Sequence, residues 1–189
     1  MKRGSCRLTS RVFIDTDCIS AFLWVGTEYL LEKLYSGKIV IPQEVYDEIN
    51  IPTIPHLKSR IDQLVAKGSA EIVSIDIGTE EYALYRDLTR NHDSNKVIGK
   101  GEAASISLAK KHNGILGSNN LRDVKPYVEE FSLEHMTTGD ILVEAFKAQF
   151  ITEQEGNHIW NNMLKKRRKI GAASFSDYLR GSVHQNRQK

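Results

Sequence analysis

Long apolar runs are missing from this chain of 189 residues. No stretch approaches the roughly 20 residues that a membrane-crossing helix requires. The basic start Met1-Lys2-Arg3 leads into no hydrophobic segment of secretory type. The expected location is therefore the cytoplasm, with no membrane partner. Cysteine is scarce too. The only two, Cys6 and Cys18, form neither a disulfide framework nor a zinc spacing, so both are expected as reduced, free thiols. Six histidines are scattered without a ligand spacing, which turns attention away from zinc. There is no internal repeat and no low-complexity tract. A net charge of +2 is too small to argue by itself for a polyanionic partner.

What the chain does contain is apolar material for one sizeable core but hardly two, so one domain with an appendage is expected. Short β-branched runs at Val12-Phe13-Ile14, Lys38-Ile39-Val40-Ile41, Glu71-Ile72-Val73-Ser74-Ile75 and Gly114-Ile115-Leu116-Gly117 read as strands covered on both faces. A weaker strand is expected near residues 133–136. Segments of helical period span 20–35, 54–67 and 80–90, with later helices over 138–149, 152–169 and 174–179. This alternation predicts an α/β fold: three layers, α/β/α, around a central, mainly parallel sheet of four or five strands, plus C-terminal helices. The expected organisation is a flexible basic tail over residues 1–10, a main domain over 11–150, a helical extension over 151–180 and a disordered tail over 181–189. Gly37 closes one helix, Pro42 opens another and Ser174 suits a helix cap. The polar, glycine-containing stretch 91–101 is expected to be a mobile loop.

Several polar residues stand where the apolar runs stop. Asp15 follows the first strand, and Glu48 lies on the helix after the second. Glu102 follows Gly101 at a helix start, while Asn120 and Asp123 follow the strand ending at Gly117. Each has an ordinary explanation. Asp15 and Asp123 suit helix caps, and an acid at Glu102 is favoured by the helix dipole in any case. On the helix of Glu48, Glu44 and Asp47 compete for its role. Taken together, carboxylates at successive strand and helix ends converge in a parallel sheet, as a hard divalent cation requires. Basic residues meanwhile cluster in the run Lys165, Lys166, Arg167, Arg168 and Lys169. Alone it reads as a solvated helix face, but beside an acidic, cation-loaded cluster it suits a polyanion.

The order Ile14-Asp15-Thr16-Asp17, then Val45-Tyr46-Asp47-Glu48-Ile49, then Gly101-Glu102-Ala103-Ala104, then Ser118-Asn119-Asn120-Leu121-Arg122-Asp123 resembles the PIN domain over about residues 11–150. It resembles in particular the toxin-like and stand-alone prokaryotic members with a helical C-terminal extension, matched here by Ser174-Phe175-Ser176-Asp177-Tyr178-Leu179. The resemblance implies a metal-dependent endoribonuclease in which Asp15, Glu48, Glu102 and Asp123 bind Mg²⁺ or Mn²⁺. Thr16, Asp17, Ser118 and Asn120 would be the supporting residues. Asn120 stands where many members have aspartate, which lowers the negative charge of the site.

The implied partners are an RNA substrate, an antitoxin protein and a second copy of the chain. Tyr46, Tyr82, Tyr85, Tyr127 and Trp160 are candidates for base stacking, with core burial as their ordinary use. Two other readings stay open. One is an inactive PIN-fold protein that grips RNA without cutting it. The other is a regulatory partner, docked through Phe22, Trp24 and Tyr29 of the early helix.

Overall fold

Side-chain alternation along very short strands explains the layering. In the computed structural model, which describes residues 10–90 and 98–185, the strands are β1 (Val12–Ile14), β2 (Ile39–Pro42), β3 (Ala70–Val73), β4 (Ile115–Gly117) and β5 (Glu134–Met136). Val12, Ile14, Ile39, Ile41 and Ile115 pack into one core cluster, whereas Phe13, Val40 and Leu116 pack into another. Successive residues thus serve opposite faces, and both faces are covered. The larger cluster lies under α1 (Thr16–Val25), α2 (Tyr29–Tyr35), α3 (Gln43–Ile49), α4 (Pro55–Ala66), α8 (Thr138–Lys147), α9 (Glu153–Lys165) and α10 (Phe175–Gln185). The smaller lies under α5 (Glu80–Arg90), α6 (Lys100–His112) and α7 (Leu121–Glu130). The result is the expected three-layer α/β/α sandwich.

All strands are parallel, in the order β3-β2-β1-β4-β5. Chain order therefore runs outward in both directions from β1. In such sheets ligands bind in the crevice at the carboxyl ends of the strands where the order reverses, here between β1 and β4. The Asp15 N–H donates to the Gly117 carbonyl at 2.8 Å, fixing the ends of these two strands side by side.

Several boundaries differ from those the pattern predicts, each for a local reason. The early helix expected over 20–35 starts at Thr16 and is two helices, because Gly26 adopts φ 71° and ends α1 with a left-handed cap. Phe22 consequently faces inward and is fully buried, which removes it from any docking surface, while Tyr29 stays 43% exposed. The helix expected over 152–169 stops at Lys165, with Arg167 at φ 58°. The last helix runs to Gln185, beyond the expected Leu179 and into the segment expected as a disordered tail.

The C-terminal helices are not a loose appendage. Trp160 and Phe175 are fully buried in the same cluster as β1 and β2, and Trp160 Nε1 donates to the Ala172 carbonyl at 3.0 Å. Trp160 is thereby excluded from base stacking. Thr137 and Thr152 open α8 and α9 with reciprocal capping boxes. Cys18 is a buried free thiol. Cys6, the tail over residues 1–9, residues 91–97 of the expected loop and residues 186–189 lie outside the described residues. Among the described residues no helix is long and apolar enough to cross a membrane.

Candidate active site

Asp15 is the N-cap of α1, and its Oδ1 accepts the Cys18 N–H at 2.8 Å. Capping uses only that oxygen. Oδ2 is buried without a hydrogen-bond partner, in a residue that is 0% exposed. Loss of hydration pushes this carboxyl up to about 7 from its ordinary 3.8. The Ser118 hydroxyl and Cys18 N–H oppose the rise, and the charges of Glu102 and Asp17 add to it. Ser118 stands near enough to favour the ionised form, but it makes no well-formed hydrogen bond to Oδ2. A dry, unpaired carboxylate oxygen is costly unless protonated or bound to a cation.

Glu102 sits in the first turn of α6 and Asp123 in the first turn of α7. Asn120 joins them. Its Nδ2 donates to Glu102 Oε1 at 2.8 Å and to Asp123 Oδ2 at 2.7 Å. Burial raises the Glu102 carboxyl, the Asn120 bond lowers it, and Asp123 raises it again. Ser118, fully buried, accepts the Asn120 N–H at 3.2 Å and so shapes this turn.

Glu48 is tied differently. One of its oxygens accepts the Thr16 hydroxyl, and the other accepts the Gly101 N–H at 2.9 Å. The side chain thus pins the start of α6 to the start of α1. Gly101 permits this, since a Cβ there would lie 2.6 Å from Thr16 Oγ1 and 2.8 Å from Glu48 Oε2. The other two acids of α3 have different surroundings. Asp47 accepts from Gln43 Nε2 at 2.8 Å, and Glu44 carries a buried oxygen without a partner, its carboxyl raised chiefly by burial. Asp17, exposed, is close enough for its charge to act on both Asp15 and Glu102.

The acids therefore share one edge of the sheet. Among the described residues, however, no three carboxylate, imidazole or thiol groups form a ready set of metal ligands. The amide of Asn120 stands between Glu102 and Asp123, and both oxygens of Glu48 are engaged. Asp15 Oδ2, at the carboxyl end of β1, is open to a cation. Its hardness, burial and lack of a partner fit a divalent ion bound by oxygen.

The basic run does not lie on one helix face. Lys165 ends α9, and the chain then turns across α1. Lys166 Nζ lies 5.4 Å from the centre of the Trp24 ring. Arg168 donates to Ser20 Oγ at 3.3 Å, and Ser20 donates to the Asp17 carbonyl at 3.3 Å. Lys169 borders a cavity that also touches Asn119. Lys165 and Arg167 are exposed.

Two residues at this edge escape a reading of the sequence. Asn119 donates to Thr138 Oγ1 and accepts the Thr138 N–H, both at 2.8 Å, so it fixes the turn after β4 to the start of α8. His135 Nε2 lies 2.9 Å from the Ser118 carbonyl oxygen. The Ser-Asn-Asn turn hints at the first, but nothing local marks the second. Of the aromatic candidates, Tyr46 is held by Asp62 at 2.8 Å, and Tyr127 packs on Phe131. Tyr85 lies close enough to Glu44 and Glu48 to feel their charge.

A family model described as DUF3368, a PIN domain, matches residues 11–182. The match starts one residue before β1 and ends inside α10, so it takes in the helices beyond residue 150. No curated protein and no solved structure matches the chain.

Proposed function

Because the chain belongs to the PIN-domain family, whose members are generally nucleases, we propose that it is a divalent-metal-dependent ribonuclease that hydrolyses phosphodiester bonds of RNA. The observation carrying this reading is Asp15, dry, unpaired at Oδ2 and set at the topological switch point beside Glu102.

Bound Mg²⁺ or Mn²⁺ would supply a water of lowered pKa and neutralise charge on the phosphate. Asp15 and Asp123 would be its ligands from this chain. Glu102, whose proton affinity is raised by burial, would orient an attacking water and accept its proton. Glu48 acts through Thr16 and Gly101, holding α6 so that Glu102 faces Asp15. Asn120 keeps Glu102 and Asp123 together against their mutual repulsion. Arg168 and Lys169 face the flanking phosphates, supplying the positive rim that a polyanion needs beside an acidic centre.

Asn120 also supports a second reading, an RNA-binding protein that does not cut, since its amide occupies the space between two of the acids. Cleavage of single-stranded RNA separates the two. The nuclease reading expects activity with Mn²⁺, none in EDTA, and none from Asp15→Asn with its fold retained. Equal cleavage by wild type and Asp15→Asn would remove the acidic edge as the active site, while tight RNA binding without any cleavage would favour the second reading.

A further inference from the structure

Beyond the turn Ser118-Asn119-Asn120 lies a cavity of about 440 Å³, bordered among others by Asn119, Leu121, His135, Lys169, Tyr178 and Gly181. Adjacent residues divide that turn between two neighbourhoods. Asn120 pairs with the catalytic acids, and Asn119 borders the cavity.

Most polar groups of the wall are already satisfied by one another. Asn119 is held on Thr138. The Tyr178 hydroxyl bonds to Thr137 Oγ1 at 2.7 Å and donates to Asp140 Oδ1 at 3.0 Å. Asp177 is held by Arg180 and Ser174, each at 2.6 Å. Two groups are not satisfied in this way. Lys169 forms no ion pair among the described residues, and the other charges of the wall are the carboxylate of Asp140, bound by hydroxyl and backbone donors alone, and Asp177, paired with Arg180. His135 Nε2 faces the Ser118 carbonyl, which only accepts, so Nε2 carries the proton and Nδ1 is left as a bare acceptor. Burial lowers the proton affinity of this ring, favouring the neutral form. Leu121, 50% exposed, adds an apolar surface.

An apolar surface, an open acceptor and a lysine outside any ion pair suit a ligand with a flat apolar body, an N–H donor and, on the Lys169 side away from Asp140, an anionic group. A nucleotide has all three, and the volume lies within the range of small-molecule sites. We propose that this cavity seats the nucleotide next to the scissile phosphate of a single-stranded RNA, with the base against Leu121 and His135 and its phosphate at Lys169. The proposal deepens the nuclease reading above and rests on it for the identity of the strand.

Two substitutions probe the cavity without touching an acid. Gly181 lies on α10 at the border of the cavity, and a Cβ added there meets nothing within 4 Å, so Gly181→Trp adds bulk at that border from a helix that accepts the change. Lys169→Gln removes the charge alone. The full-length chain is titrated in EDTA with AMP, CMP, GMP and UMP, following the His135 ring and Leu121 methyl signals by NMR. At least one nucleotide is expected to shift both, Gly181→Trp to abolish the shifts, and Lys169→Gln to weaken binding by about tenfold. In Mn²⁺, both variants are expected to raise KM for an RNA oligonucleotide about tenfold, with kcat changed less than about twofold.

The proposal fails if no mononucleotide perturbs those signals, or if Gly181→Trp, checked for an unchanged unfolding temperature, binds as wild type does. Wild-type cleavage with no cavity dependence would sink the subsite alone. Nucleotide binding at His135 and Leu121 without any RNA cleavage would keep the subsite and overturn the nuclease reading.

Discussion

Asp15→Asn is expected to make the metal-free protein more stable while abolishing its activity. Asparagine keeps an oxygen for the Cys18 N–H, and its amide replaces the unpaired Oδ2 with a neutral group beside the Ser118 hydroxyl. A carboxyl whose folded value exceeds its unfolded one holds its proton more tightly in the folded state. Below about pH 4 both states are protonated and the buried group costs nothing. From its ordinary 3.8 up to about 7 the cost grows with pH, and above about 7 it is complete. At ~1.4 kcal/mol per tenfold change in proton affinity, the shift corresponds to on the order of 2–4 kcal/mol once interior polarity is allowed for. For a domain of this size that is roughly 5–12 °C in unfolding temperature.

The assay is thermal unfolding of both proteins in EDTA from pH 4 to 8, where other titrating groups are common to the pair and cancel. Their unfolding temperatures should converge at the acid end and separate by the full amount near pH 8. Added Mn²⁺ should then stabilise wild type, by ~2.7 kcal/mol at a hundredfold excess over its dissociation constant, and the variant far less. Parallel pH profiles, or a variant less stable than wild type at pH 8 in EDTA, would refute the claim that Asp15 is held dry and unpaired.

Gly101→Ala should lower stability by about 1–3 kcal/mol and reduce cleavage, because its Cβ collides with Thr16 and Glu48 and pushes α6 away from α1. Denaturant unfolding and RNA cleavage measure the two effects. Asn120→Asp should lower the Mn²⁺ concentration needed for half-maximal cleavage and destabilise the metal-free protein, since a third carboxylate replaces the amide between Glu102 and Asp123. A metal titration of activity, run beside unfolding in EDTA, checks both. Trp160→Ala should cost about 3–5 kcal/mol, as for a fully buried aromatic shared between α9 and the main core. If urea unfolding shows a loss under about 1 kcal/mol, the C-terminal helices are not part of one cooperative core.

Much of the fold is written in local pattern. Short β-branched runs separated by helical periods leave few alternatives to a parallel sheet, and Pro42 and Ser174 mark helix entries, one by its fixed φ and the other by its capping hydroxyl. Less legible were the break at Gly26, where apolar periodicity continues across a left-handed residue, and the end of α9 at Lys165, where a basic run has no periodicity to lose. The candidate acids could be singled out in order along the chain, but their partners could not. Nothing near Glu48 in the sequence names Thr16 or Gly101, and nothing near Asn120 shows that its amide spans Glu102 and Asp123.

The amino-acid sequence alone determined the layer architecture, the positions of Asp15, Glu102 and Asp123 at element ends, and the resemblance that the family match bears out. These follow from periodicity and chain order, which are local. Only the tertiary structure decided that Asp15 keeps a dry, unpaired oxygen, that Glu48 ties two helix starts together, and that the segment after Lys165 returns to α1. Those outcomes depend on burial and on contacts between residues far apart in the chain, where hydration is lost and charges meet, and no local pattern encodes them.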